Sequence, residues 1–147
     1  MQLSEQWVLV TGGARGLGQS ITRALAREGA GVVINYLHSD AAAQALAEEL
    51  GPRALALQAD VTDAAAGQRL FAQVGERTGQ PISAVVNNAL AQFRFDGDAR
   101  PQIGDITWQR FAQQLEGAVK GALNTTQAAL PAMREQGFGR IVNVGTN

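Results

Sequence analysis

The sequence predicts an α/β fold, a doubly wound parallel sheet with helices on both faces. Three observations carry this reading. Strand-like and helix-like segments alternate strictly along the chain, as they do where each helix crosses back over a sheet. Most strand-like runs are apolar at successive positions rather than every second one, which suits strands covered on both sides. The first of them leads through a glycine-rich turn directly into a helix. Right-handed crossovers between parallel strands then complete the architecture.

The elements follow in order. Trp7-Val8-Leu9-Val10 is short, rich in β-branched residues and stopped by Thr11-Gly12-Gly13, so it reads as a buried strand. From Gly16 to Glu28, Leu17, Ile21 and Leu25 recur at helical spacing, and Gly29 ends the helix. Gly31 to Tyr36 is the second strand. Ser39 is placed to cap a helix carrying Ala43, Leu46, Ala47 and Leu50, which closes at Gly51-Pro52. Ala54 to Ala59 is the third strand. Thr62 is placed to cap a helix with Leu70, Phe71 and Val74 that ends near Gly79. Ala84 to Asn87, beginning after Pro81, is the fourth strand.

Ala89 to Asp105 contains Asp96-Gly97, Pro101 and Gly104 and reads as a long loop with room for one helical turn. A loop of that length inside a compact domain is usually functional. Phe93 and Phe95 there suit either an apolar pocket or simple anchoring of the loop. Arg94 and Arg100 suit an acidic carrier. The longest helix is expected from Thr107 to about Gln136, with Trp108, Phe111, Leu115, Val119 and Ala122 as its apolar stripe. Pro131 is expected to bend or shorten its last turns. Gly139 to Val144 is the fifth strand.

Composition narrows the chemistry. The chain has 147 residues, enough for one domain with a core and too few for a cofactor domain plus a full substrate domain. Apolar residues make up 46% and charged residues 17%, which excludes a disordered tail. A net charge of -1 offers no broad cationic surface for nucleic acid or an anionic membrane. With no cysteine and one histidine, His38, there is no thiol chemistry and no multi-histidine metal centre. A serine–histidine–acid triad would have to use His38. No apolar run reaches the length of a membrane span, and Met1 to Trp7 lacks the pattern of a signal peptide. The expectation is a cytoplasmic protein without metal, nucleic-acid or membrane partners.

Thr11-Gly12-Gly13-Ala14-Arg15-Gly16-Leu17-Gly18 joins the first strand to the first helix. A helix N-terminus offers unpaired amides and a favourable dipole to a pyrophosphate. Side chains at Gly12, Gly16 or Gly18 are expected to obstruct that approach. The spacing is not that of a P-loop, since no Gly-Lys-Ser/Thr follows. A tight strand–helix turn without a ligand is the plainer alternative.

The Thr-Gly-x-x-x-Gly-x-Gly pattern resembles the short-chain dehydrogenase/reductase family, whose fold is Rossmann-like. Further motifs fall in the same order. Asp60-Val61 ends the third strand, and Asn87-Asn88-Ala89 ends the fourth, with Leu90 where the family has glycine. Thr125 to Met133 is similar to the family's long central helix, and Gly139 to Val144 to its fifth strand. The group most resembled is the β-ketoacyl-carrier-protein reductase type. The resemblance implies a dinucleotide-binding domain over residues 1–147, with Gly12, Ala14, Arg15, Gly16, Leu17, Gly18, Asp60, Val61, Asn88 and Ala89 at the cofactor. It also implies a small-molecule or carrier-bound carbonyl substrate and a homo-oligomer.

The residues themselves leave alternatives at several of these positions. Asp60 suits adenine recognition or a helix cap. Asn88 suits the cofactor or a tie between strand ends. The end of the second strand carries Asn35 and Tyr36 rather than an acid, so nothing there would repel a 2′-phosphate. Arg15 is placed to pair with that phosphate, or is a solvated surface side chain. These features favour NADP(H) over NAD(H), with His38 and Ser39 close in sequence to the same region.

The family's proton donor is the tyrosine of a Tyr-x-x-x-Lys motif, and this sequence contains no such motif. Its one tyrosine is Tyr36. The family's serine position falls on Thr146, and its relay asparagine on Ala118, with Lys120 and Asn124 out of register. The expectation is therefore a sheet of five strands, truncated relative to the family and incomplete at its C-terminal edge. The stripe from Trp108 to Ala122 is expected to be partly uncovered, and a second copy or a complementing C-terminal segment to complete the protein. The readings are an NADP(H)-dependent reductase of ketones or 3-oxoacyl thioesters, a non-catalytic dinucleotide-binding module, or a structural fragment.

Overall fold

A computed structural model describes residues 1–90 and 102–145. Its sheet has five strands, β1 (Trp7–Val10), β2 (Gly31–Tyr36), β3 (Ala54–Gln58), β4 (Ala84–Asn87) and β5 (Arg140–Asn143). They are all parallel, in the order β3-β2-β1-β4-β5. The helices are α1 (Gly16–Arg27), α2 (Asp40–Leu50), α3 (Ala64–Thr78), α4 (Trp108–Leu115) and α5 (Gly121–Glu135). Short 3-10 turns occupy Leu3–Glu5 and Ile103–Asp105.

The pleat sends alternate residues to opposite layers. Val8 and Val10 of β1 pack on Ile21 and Leu25 of α1, while Val32 and Ile34 of β2 pack on Ala43 and Leu46 of α2. Leu9, Val33 and Val85 face the other way, onto Leu70 and Val74 of α3 and Ala129 and Met133 of α5. Strands buried on both faces explain the unbroken apolar runs. The edge strand β5 is largely exposed.

Several local expectations change. Asp63, not Thr62, caps α3, because its Oδ1 accepts from the amides of Ala65 and Ala66 at 2.9 and 3.3 Å. Ser39 occupies the cap position of α2, but its hydroxyl makes no capping bond. Leu17 is exposed, and α1 buries Gly18 and Thr22 instead. The single long helix is divided: Glu116–Lys120 forms a π-helical turn between α4 and α5. The helix then continues through Pro131 to Glu135.

The apolar stripe is not a core face. Trp108 is 74% exposed, and Phe111, Leu115 and Val119 also face solvent. The face of α5 that packs inward is made of Gly121, Asn124, Thr125, Ala129 and Met133. The helix lies too close to its neighbours for larger residues there: a Cβ on Gly121 would come within 2.8 Å of Val61 Cγ2.

Trp7 pairs with Gly31 across β1 and β2, and a Cβ on Gly31 would meet the indole at 2.5–2.8 Å. Gly31→Ala should therefore cost about 1–3 kcal/mol by displacing a packed ring. Urea denaturation should show a lower midpoint at unchanged slope.

Candidate functional site

The loops that follow β3, β2, β1 and β4 lie in that order along one edge of the sheet. The chain winds outward from β1 to β2 and β3, then crosses to β4 on the other side of β1. The crevice between the loops after β1 and β4 is thus the point where the winding reverses, and there such sheets bind ligands.

Thr11 and Asn88 close that crevice at its base. Thr11 Oγ1 accepts from the amides of Asn88 and Ala89, both at 2.9 Å. Asn88 Nδ2 donates back to the Thr11 carbonyl at 3.0 Å and lies 3.4 Å from that of Gly12. Asn88 is thus a tie between two loops, and the Ala89 amide is already engaged. Thr22, fully buried in α1, shares its hydroxyl between the carbonyls of Gly18 (2.9 Å) and Gly13 (3.2 Å). The Gly13 amide donates to the Asn35 carbonyl at 3.0 Å.

The glycines divide into two kinds. A Cβ on Gly18 would run into the Gly12 carbonyl and the Asn88 amide. One on Gly13 would meet the Val10 carbonyl at 2.9 Å, and one on Gly12 would meet Ala89 Cα at 3.2 Å. At these three positions the protein's own packing requires a small residue, a reason that stands beside the ligand-based one expected for Gly12 and Gly18. Gly16 differs. Like Gly12 it has a positive φ, +54, but nothing among the described residues lies within 4 Å of an added Cβ. It opens α1, whose cap residue Arg15 contributes no side-chain bond. The amides of Gly16, Leu17 and Gly18 have no carbonyl one turn earlier to accept them. Ala14 has its side chain buried, so only its backbone can face a ligand.

At the next loops, Asn35 turns its side chain to β3, where Nδ2 donates to the Ala59 carbonyl at 3.0 Å. Asp60 does not cap α3: its Oδ1 accepts from the amide and the hydroxyl of Thr62 at 2.8 and 2.7 Å. The Val61 carbonyl accepts from Asn124 Nδ2 at 2.9 Å. Arg15 and His38 are exposed, and neither joins an ion pair among the described residues. The Tyr36 hydroxyl donates to Asp40. That bond, and secondarily burial, raises the phenol above its usual value of 10.

On the far side, Thr125 donates to Asn87 Oδ1 at 2.6 Å, and Asn87 Nδ2 donates to Asn143 Oδ1 at 2.9 Å. This chain of side chains links α5, β4 and β5. Ala118 is exposed in the π-helical turn, and Lys120 pairs with Glu116 at 3.0 Å. Thr146, Phe93, Arg94, Phe95 and Arg100 lie outside the described residues. Among the described residues no cluster of three or more potential metal ligands occurs, and no helix is long and apolar enough to cross a membrane. Thr22 is not singled out by the sequence, and Thr125 enters only as the start of the motif Thr125 to Met133. Their shared signal is a threonine four residues after a glycine on a helix.

The model of the short chain dehydrogenase family matches residues 6–147. The chain belongs to this family. A sorbitol dehydrogenase of Cereibacter sphaeroides is 39% identical over 147 residues, covering 99% of this chain and 54% of that protein. An L-rhamnose 1-dehydrogenase (NAD(P)(+)) of Azotobacter vinelandii is 36% identical over 146 residues, 95% of this chain and 54% of its own. A 3-oxoacyl-acyl-carrier-protein reductase of Staphylococcus aureus is 34% identical over 142 residues, 94% and 54%. The chain spans about half the length of the curated relatives it matches.

Two outcomes follow from this geometry. Thr11→Val leaves the amides of Asn88 and Ala89 without their acceptor and should cost about 1–3 kcal/mol in denaturant unfolding. Thr11→Ser should retain most of that stability. Tyr36 is the chain's one tyrosine, so phenolate absorbance reports it alone. It should ionise above pH 10 in the folded protein, and Asp40→Asn should bring it back toward 10. Because the folded value is the higher one, the stability it contributes is complete below pH 10 and is lost as pH rises through the folded value.

Proposed function

We propose that residues 1–147 form the dinucleotide-binding half of an oxidoreductase that uses NADP(H) to reduce a ketone or 3-oxoacyl thioester. The observation that carries this is the open space over Gly16 at the start of α1. A pyrophosphate suits that place. The amides of Gly16, Leu17 and Gly18 have no earlier carbonyl, the helix dipole favours an anion, and no side chain among the described residues intrudes. The nicotinamide, once bound, supplies the hydride.

The chain's own residues hold and orient. In this reading Gly12 and Ala14 shape the loop through their backbones, and Gly16 to Gly18 receive the pyrophosphate. Asp60 and Val61 flank the adenine. Asn88 and Ala89 wall the crevice on the nicotinamide side. Arg15 meets a 2′-phosphate, and no carboxylate ends β2 to oppose it. Thr146, at the family's serine position, orients the substrate carbonyl. The relative named for NAD(P)(+) supports a nicotinamide dinucleotide, and the one named for 3-oxoacyl reduction supports the substrate class.

The proton for the developing alkoxide does not come from Tyr36, whose hydroxyl is committed to Asp40. Ala118 has no polar group for a relay. These two residues favour a second reading, a dinucleotide-binding module without turnover. Residues 1–147 alone should bind NADPH without turning over an acetoacetyl thioester in either reading; adding a C-terminal segment that carries Tyr-x-x-x-Lys separates the two, since loss of reduced-nicotinamide absorbance then supports catalysis and binding without loss supports the module.

Nucleotide fluorescence tests the site itself. Gly16→Val should abolish NADPH binding, and because a β-branched residue at φ +54 is strained it should also cost about 1–3 kcal/mol in denaturant unfolding. Arg15→Ala should weaken NADPH more than NADH, and equal losses would remove the 2′-phosphate contact. We also propose that a second copy covers the exposed face of Trp108, Phe111, Leu115 and Val119. Sedimentation should then show an oligomer that Trp108→Glu dissociates.

A further inference from the structure

The turn after β3 is held partly by a helix from the other half of the sheet. Asn35 of β2 donates to the Ala59 carbonyl at 3.0 Å, and Thr62 donates its amide and hydroxyl to Asp60 Oδ1. The third hold comes from α5, where Asn124 Nδ2 donates to the Val61 carbonyl at 2.9 Å. Asn124 lies 63 residues away in sequence and is only 9% exposed. Gly121, on the same inward face of α5, is also buried, and a Cβ there would come within 2.8 Å of Val61 Cγ2. The carbonyl and the side chain of Val61 thus both rest on α5.

Two groups of this turn stay open. Among the described residues nothing accepts from the Val61 amide, and Thr62 engages only one carboxylate oxygen of Asp60. A donor and an acceptor therefore stand on adjacent residues. An adenine edge, with an amino donor beside a ring-nitrogen acceptor, can meet both. A hypoxanthine edge, with an oxo acceptor beside a ring N–H, has the opposite order. With its carbonyl and side chain fixed, Val61 has little freedom to turn, so the direction of its amide is fixed as well. We propose that Asn124 is a positioning residue for adenine: through the Val61 carbonyl it sets the Val61 amide beside the Asp60 carboxylate. The inference rests on the cofactor reading above and deepens it.

The test is a pair of dissociation constants, for NADPH and for deamino-NADPH, in which hypoxanthine replaces adenine, measured by nicotinamide fluorescence. The two nucleotides share every phosphate, both riboses and the nicotinamide, and differ only at the base edge. The proteins are the wild type, Asn124→Leu and Gly121→Ala. The wild type should favour NADPH about tenfold, the size of one charge-assisted hydrogen bond lost. Asn124→Leu should remove most of that preference by weakening NADPH, with deamino-NADPH bound as before. Gly121→Ala favours the helix but displaces Val61 while Asn124 stays in place, so it should reduce the preference too. It also carries the test if Asn124→Leu fails to fold. A structural tie alone would weaken both nucleotides alike in either variant, and that result overturns the proposal. So does an unchanged preference. Equal binding of the two nucleotides by the wild type also overturns it, while the cofactor reading stands. Failure of the wild type to bind either nucleotide would refute the cofactor reading, and this inference with it.

Discussion

The hydroxyl of Thr11 joins the two halves of the sheet where they part. β1 sends its chain toward β2, and β4 begins the other half, so beyond the backbone bond from Thr11 to Val86 the loops after these strands separate. Thr11 Oγ1 takes the two amides that follow β4, and Asn88 returns a bond to the loop after β1. Buried backbone groups need partners, and this exchange supplies them across the crevice. The site edge is thus built from hydrogen bonds between loops, and its shape is set before any ligand arrives.

That closeness dictates the glycines. Gly12, Gly13 and Gly18 are small because Ala89, Asn88, Thr22 and the Val10 carbonyl already occupy the space around them. Only Gly16 among the loop's glycines looks outward. A pattern that reads as a row of ligand contacts is therefore mostly a row of internal contacts. They hold one exposed turn of backbone in place, and such rigidity lowers the ordering cost of binding.

The other half is attached by small and polar residues. Gly121 lets α5 approach Val61, Asn124 takes the Val61 carbonyl, and Thr125 reaches Asn87 and through it Asn143. Because this face of the helix does the packing, the large apolar residues from Trp108 to Val119 point outward. The π-helical turn at Glu116–Lys120 falls between the outward-facing stripe of α4 and the inward-packed face of α5.

The strands, their order of appearance and the loop that opens α1 were legible in the sequence. Apolar runs, glycine stops and helical spacing are local signals, and local sterics determine them. The parallel sheet followed from the alternation of elements together with strands that are apolar at successive positions. What tertiary structure decided were the partners. Periodicity marks an apolar face but not whether anything covers it, so the α4 stripe resembles a core stripe. A capping residue is recognised by type, yet Asp63, directly before Ala64, accepts the first-turn amides, while Thr62 turns its hydroxyl to Asp60. Asp60, Asn88 and Tyr36 each carry a polar group that several contacts would satisfy. Which contact forms depends on residues distant in the chain or on another turn, brought within hydrogen-bonding distance only by the fold.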